Sequence, residues 1–275
     1  MTRATNDSYG RVLRLSGMTM FGKLAGTLTG SADDRPPLVL LHGLTFDRRQ
    51  WGPLVRELAA VDRGRRVLAL DLPGHGGSRD VAYDTSLVGA LVHEAVAAAG
   101  LGAPVVVGHS VGGVLATMYA AHFPAAGVVN LDQALIMGPF GDLVRRSEPR
   151  LRGPRWREEV WDRLLAGMGV DELPAEGREL VESCVPRADQ LLGYWDDIFR
   201  HSDAAIAGMR RDELGVIAAR GIGYHWVTSA EPEPVYVRWL TGAVPGVAIT
   251  VLPGGHFPHL SHPAEVAALL VDRSA

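Results

Sequence analysis

The chain has a single cysteine, Cys184, among 275 residues, so no intramolecular disulfide staples it and the fold must rest on its core. It has no apolar run near the roughly 20 residues that a membrane-spanning helix requires. The first seven residues, Met1 to Asp7, lack the apolar core of a secretory signal, and the expectation is a cytoplasmic protein. Excess charge of either sign is also scarce: 27 basic against 31 acidic side chains leave a formal charge of −4. That excludes the basic field with which proteins hold nucleic acid or an anionic membrane. No metal-ligand cluster, phosphate-binding loop or dinucleotide fingerprint is present, because Gly74-His75-Gly76-Gly77 has no G-x-G-x-x-G following a strand. The expectation is no cofactor and no metal, with a small-molecule substrate as partner.

What is present is a chain 47% hydrophobic and 21% charged, long enough for one large α/β domain with an inserted piece. Short apolar runs at residues 38–41, 67–70, 105–107, 127–131, 223–228 and 247–252 read as buried strands. Helical patterns separate them, as at 50–60, where Trp51, Leu54, Val55 and Leu58 share a face, and at 85–99 and 263–271. Strands alternating with helices argue for a parallel sheet covered on both faces, with its functional loops at the strands' carboxyl ends. Residues 12–15 and 20–28 predict an antiparallel hairpin at the sheet edge. From 137 to 215 the rhythm stops, and helical stretches broken by Pro139, Pro149, Pro154, Pro174 and Pro186 read as a lid. The division expected is core 1–136, helical cap 137–215 and core 216–275.

The stretch around which this arrangement is organised is 104–124. Three valines, Val105 to Val107, lead into Gly108-His109-Ser110-Val111-Gly112, and a helical run ends before Pro124. A serine between two such glycines fits a strained strand-to-helix turn that exposes its hydroxyl at the sheet's carboxyl edge. The glycines stand where a Cβ would collide with neighbouring backbone. The plain alternative is a glycine-rich connection with an idle serine, but the flanking strand and helix favour a nucleophile.

Four separated motifs, Leu40-Leu-His-Gly43, Asp71-Leu-Pro-Gly-His-Gly-Gly-Ser78, Gly108-His-Ser-Val-Gly112 and Gly254-Gly-His256-Phe-Pro-His, together resemble the α/β-hydrolase fold superfamily in order and spacing. The resemblance spans roughly residues 12–272. It implies an α/β fold with an eight-stranded, mostly parallel sheet, helices on both faces, and a helical cap inserted after the sixth strand. Carried onto this chain, it implies Ser110 as nucleophile and His256 as general base. It implies the main-chain N–H groups of Leu44 and Val111 as the oxyanion hole. His259 and His262 are expected to be surface or supporting groups, His75 and His109 parts of the loops, and Asp71 a turn-shaping residue.

The triad acid divides the reading. The usual position in the superfamily follows the seventh strand, where this chain offers Glu231 and Glu233 among prolines; Asp132, at the end of the sixth strand, is a position that some members use. Rigid strand-end geometry favours Asp132, with Glu231 as the alternative. Trp51, Phe140, Trp156, Trp161 and Trp195 are the candidate substrate-binding walls, and Arg48 and Arg49 are candidates to meet a substrate carboxylate. The implied activity is a cofactor-independent serine hydrolase of a small, hydrophobic ester, thioester or lactone. The alternatives are a C–C bond hydrolase or non-hydrolytic cyclase or lyase on the same fold, and a ligand-binding sensor with little turnover.

Overall fold

The computed structural model describes residues 17–31, 33–79 and 83–272. Eight strands form one sheet: β1 (Thr19–Phe21), β2 (Leu24–Thr29), β3 (Leu38–Leu41), β4 (Val67–Leu70), β5 (Val105–His109), β6 (Gly127–Leu131), β7 (Gly223–Thr228) and β8 (Ala248–Val251). Their spatial order is β1-β2-β4-β3-β5-β6-β7-β8. The pairings β1·β2 and β2·β4 are antiparallel, and every pairing from β4 across to β8 is parallel. The expected hairpin is therefore the β1–β2 pair; residues 12–15 lie outside the described part.

Helices cover both faces, as the continuous apolar strands require. Along β3, Leu38 and Leu40 enter one core while Val39 and Leu41 enter the other, the two-residue period of a strand buried on both sides. The first face is closed by α1 (Gly52–Val61) and α12 (Pro263–Asp272), which contribute Leu54, Val55 and Leu58, and Val266, Ala267 and Leu270. The opposite face is closed by α2 (Thr85–Ala98), α3 (Val111–His122) and α10 (Pro234–Ala243).

Between β6 and β7 come α4 (Gly138–Leu151), α5 (Asp162–Ala166), α6 (Ala175–Glu182), α7 (Ala188–Tyr194), α8 (Asp196–Arg200) and α9 (Asp203–Ala219). One expectation is corrected here. Pro149 lies inside α4 rather than ending it; it stands in the last turn, where losing one N–H breaks little of the helix. The seventeen-residue α9 buries Leu214 and Ile217 in the core beside β7. Among the described residues no helix is long and apolar enough to cross a membrane.

Candidate active site

The strand-to-helix turn after β5 is strained as its glycines suggest. Ser110 has φ 53° and ψ −126°, a conformation that L side chains rarely adopt and that persists only when the surroundings enforce it. They do so by close approach. A Cβ on Gly108 would fall on the Gly112 carbonyl, and one on Gly112 would fall on the Leu41 carbonyl of β3. The Ser110 N–H is tied to the Leu131 carbonyl at 3.0 Å, and the Gly113 N–H donates to the Ser110 carbonyl at 2.7 Å.

Two loops from neighbouring strands face this turn. After β6, Asp132 also takes a positive φ, 55°, held by its N–H on the Val227 carbonyl at 2.7 Å. Its Oδ1 accepts the Ser229 N–H at 2.7 Å, and its Oδ2 accepts from His256 Nδ1 at 2.8 Å. Burial alone would raise the Asp132 carboxyl, but the hydrogen bonds and charge from His256 and the Ser229 bond outweigh it and hold the group below its ordinary value. With Nδ1 donating to Asp132, the His256 ring presents Nε2 as its acceptor.

His256 itself is fixed through its main chain. Its N–H donates to the Met168 carbonyl at 2.9 Å, and its carbonyl accepts His109 Nε2–H at 2.7 Å. Glycine is required at 255, where φ is 85° and a Cβ would press on the Met168 carbonyl. Neither Met168 nor His109 was identifiable as a support of His256. Met168 reaches it through a carbonyl, which carries no residue-type signal.

The loop after β3 is set by two neutral histidines. His42 Nε2 accepts the Leu72 N–H at 2.9 Å while Nδ1 donates to the Gly43 carbonyl at 2.7 Å. His75 Nε2 accepts the Thr45 N–H at 3.0 Å while Nδ1 donates to the Pro73 carbonyl at 2.9 Å. Burial pushes them down to about 4 and about 3, so both remain uncharged acceptors at neutral pH. The Leu44 N–H finds no acceptor among the described residues, and the Val111 N–H stands in the first turn of α3, where no preceding helical carbonyl exists to accept it.

Ser110, Asp132, His256, Leu44 and Val111 line one cavity of about 650 Å³. Phe140, Trp161 and Trp195 belong to its walls. Two other aromatics do not. Trp51, the residue just before α1, is fully buried in the core and 4.6 Å ring to ring from His259, and it is not part of the cavity lining. Trp156 packs against the core among the helices after β6 and is not part of the cavity lining. His259 is fully buried between Trp51 and His109 rather than at the surface. Glu231 is exposed and outside the cavity lining. Arg48 is paired with Asp71, and Arg49 with Asp47 at 2.7 Å, so neither faces the cavity.

The residues 38–269 match the alpha/beta hydrolase family model. The chain belongs to the alpha/beta hydrolase family. It is a hydrolase-type enzyme, and its relatives include esterases. One is the pimeloyl-[acyl-carrier protein] methyl ester esterase of Xanthomonas campestris pv. campestris, 30% identical over 255 residues, covering 86% of this chain and 93% of that protein. Another is the 2-succinyl-6-hydroxy-2,4-cyclohexadiene-1-carboxylate synthase of Klebsiella pneumoniae, 32% identical over 139 residues; the match covers 48% of this chain and about half, 52%, of that one. In fold the chain is similar to a solved AqdC variant, a protein that recognises and ring-cleaves the Pseudomonas quinolone signal, with TM-score 0.77 and 19% identity over 94% of this chain and 98% of that one.

Proposed function

We propose that this alpha/beta hydrolase cleaves a carboxylic ester or thioester with a largely hydrophobic acyl part, through a Ser110–His256–Asp132 triad. The observation that carries the reading is that a serine at φ 53° and a histidine whose Nδ1 is bonded to a carboxylate at 2.8 Å line the same cavity. Ser110 Oγ attacks the carbonyl carbon as His256 Nε2 takes its proton. The Asp132 carboxylate holds the ring in that tautomer and stabilises the imidazolium. The tetrahedral oxyanion is held by the main-chain N–H groups of Leu44 and Val111, each worth about 3 kcal/mol in a dry site. Collapse expels the alcohol or thiol, protonated by His256, and leaves an acyl-serine. Water, deprotonated by the same histidine, then releases the acid.

The helices between β6 and β7 act in this reading as the substrate-selecting cap, since Phe140, Trp161 and Trp195 all come from them. The full-length esterase relative supports ester chemistry over the C–C bond alternative.

The test is intact-mass labelling with a small fluorophosphonate, beside hydrolysis of p-nitrophenyl esters. One phosphonyl group added to the wild type and none to Ser110→Ala is the expected result. An unlabelled wild type that turns over no ester would remove the reading and move the weight to a non-hydrolytic activity or a sensor.

A further inference from the structure

Helix α9 brings Arg210, ion-paired to Glu213, to the wall of the cavity. Arg210 is 5% exposed and belongs to the cavity lining beside Ile206 and Met209 of the same helix. One turn on, Glu213 stands with Oε2 3.1 Å from Arg210 Nη1. The approach is close but not aligned: among the described residues, Nε and Nη1 of Arg210 and Oε2 of Glu213 are all buried without a hydrogen-bond partner.

Such an arrangement is costly if its purpose is stability alone. A buried donor left unused costs about 1–3 kcal/mol, and a buried ion pair is commonly no better than apolar side chains of the same volume. Burial, helped by the Asp197 and Asp212 charges and partly offset by that of Arg210, raises the Glu213 carboxyl to about 7, so near neutral pH it is only partly ionised. Asp197, which also lines the cavity, accepts from Thr85 Oγ1 at 3.1 Å. Arg163, the other cation of the lining, is exposed. Arg210 is thus the buried cation of the cavity lining. A guanidinium of that kind is matched by a planar acceptor that takes two N–H groups side by side.

We propose that Arg210 anchors a carboxylate at the end of the substrate remote from the scissile carbonyl, so that the substrate is a half-ester or half-thioester of a dicarboxylic acid with an apolar middle. The apolar middle lies along the hydrophobic walls, and the remote carboxylate pairs with the guanidinium. This rests on the ester-hydrolase reading above and adds the substrate class to it. Arg210 is a specificity-determining residue here, and its role is in binding.

The experiment measures kcat/KM for mono-p-nitrophenyl esters of the dicarboxylic acids from glutarate to suberate, each against the same ester with its free carboxyl methylated. In the wild type at least one chain length favours the free acid tenfold or more, with the difference in KM. In Arg210→Gln that acid-to-methyl ratio falls at least tenfold, and Arg210→Lys, which keeps the charge but loses the fork, falls between. Because the wild-type ratio needs no variant, a misfolded substitution does not blunt the test. Ser110-dependent turnover of the methylated esters with no acid preference at any length overturns the anchor alone, as does a preference that survives Arg210→Gln. Absence of turnover of both ester series in the wild type overturns the hydrolase reading and the anchor with it.

Discussion

Asp132 Oδ2 lies 2.8 Å from His256 Nδ1, although the two residues stand 124 positions apart in the chain. The second oxygen of the same carboxylate is taken by the Ser229 N–H at 2.7 Å, 97 positions away. One side chain at the end of β6 thereby ties together the loops that follow β7 and β8.

In the proposed triad this tie makes Asp132 the acid. Asp132→Asn is expected to lower kcat for ester hydrolysis by about 10⁴-fold, because an amide no longer selects the histidine tautomer that leaves Nε2 free. Glu231→Gln, at an exposed position, should stay within twofold of wild type. Steady-state rates of the two variants side by side check this, and equal losses would remove Asp132 from the triad.

Removal of the nucleophile should be more severe. Ser110→Ala is expected to lose activity by about 10⁶-fold in kcat, with substrate still bound by the cavity. A residual rate above about one thousandth of wild type would show that another group performs the attack.

Acid stability follows from the buried histidines. His42, His75 and His259 are pushed by burial from 6.5 to about 4, 3 and 3. Between those values and 6.5 the unfolded chain binds protons that the folded chain refuses, so stability is full above about pH 6.5 and is lost as pH falls. Each such histidine contributes a slope of about 1.4 kcal/mol per pH unit inside its window. His259→Leu is the informative variant, since among the described residues neither ring nitrogen of His259 has a hydrogen-bond partner to lose. Urea unfolding between about pH 4.5 and 6, where all three act, should show a shallower slope in the variant by about one histidine. An unchanged slope would mean that His259 takes up protons in the folded state.

Two glycines should respond oppositely to alanine. At Gly108 the added methyl falls on the Gly112 carbonyl, and Gly108→Ala is expected to abolish labelling by fluorophosphonate and to destabilise by several-fold more than a typical surface change, about 3 kcal/mol or beyond. Gly215, exposed within α9 with open space where a Cβ would go, should gain about 0.5–1 kcal/mol as alanine, through helix propensity and a less flexible unfolded chain. Thermal melts of both variants decide it.

Much of this molecule could be read before its structure. The six buried runs became parallel strands within a residue or two at most ends, because a short apolar segment flanked by turn residues has few other ways to satisfy its backbone. The serine turn was equally legible, since its strain is local: Gly108, Ser110 and Gly112 lie within five consecutive positions whose collisions involve backbone that any occupant of the turn must meet.

The remainder depended on which distant segments meet. Trp51 and Trp161 are both tryptophans at helical spacing, and only the docking of their helices sends one into the core under α1 and the other to the cavity wall. Arg48 and Arg210 are both arginines, and the fold gives the first a partner in Asp71 and leaves the second with unused donors beside the cavity. His256 takes its position from a carbonyl of Met168 and a ring nitrogen of His109. The sequence by itself determined the strands, the strained serine and the residues able to do the chemistry, because those follow from backbone sterics and apolar periodicity within a few neighbours. Only the tertiary structure decided which charges are paired, which aromatics reach the cavity and what holds the histidine, because sheet order and helix docking set those contacts between segments distant in the chain.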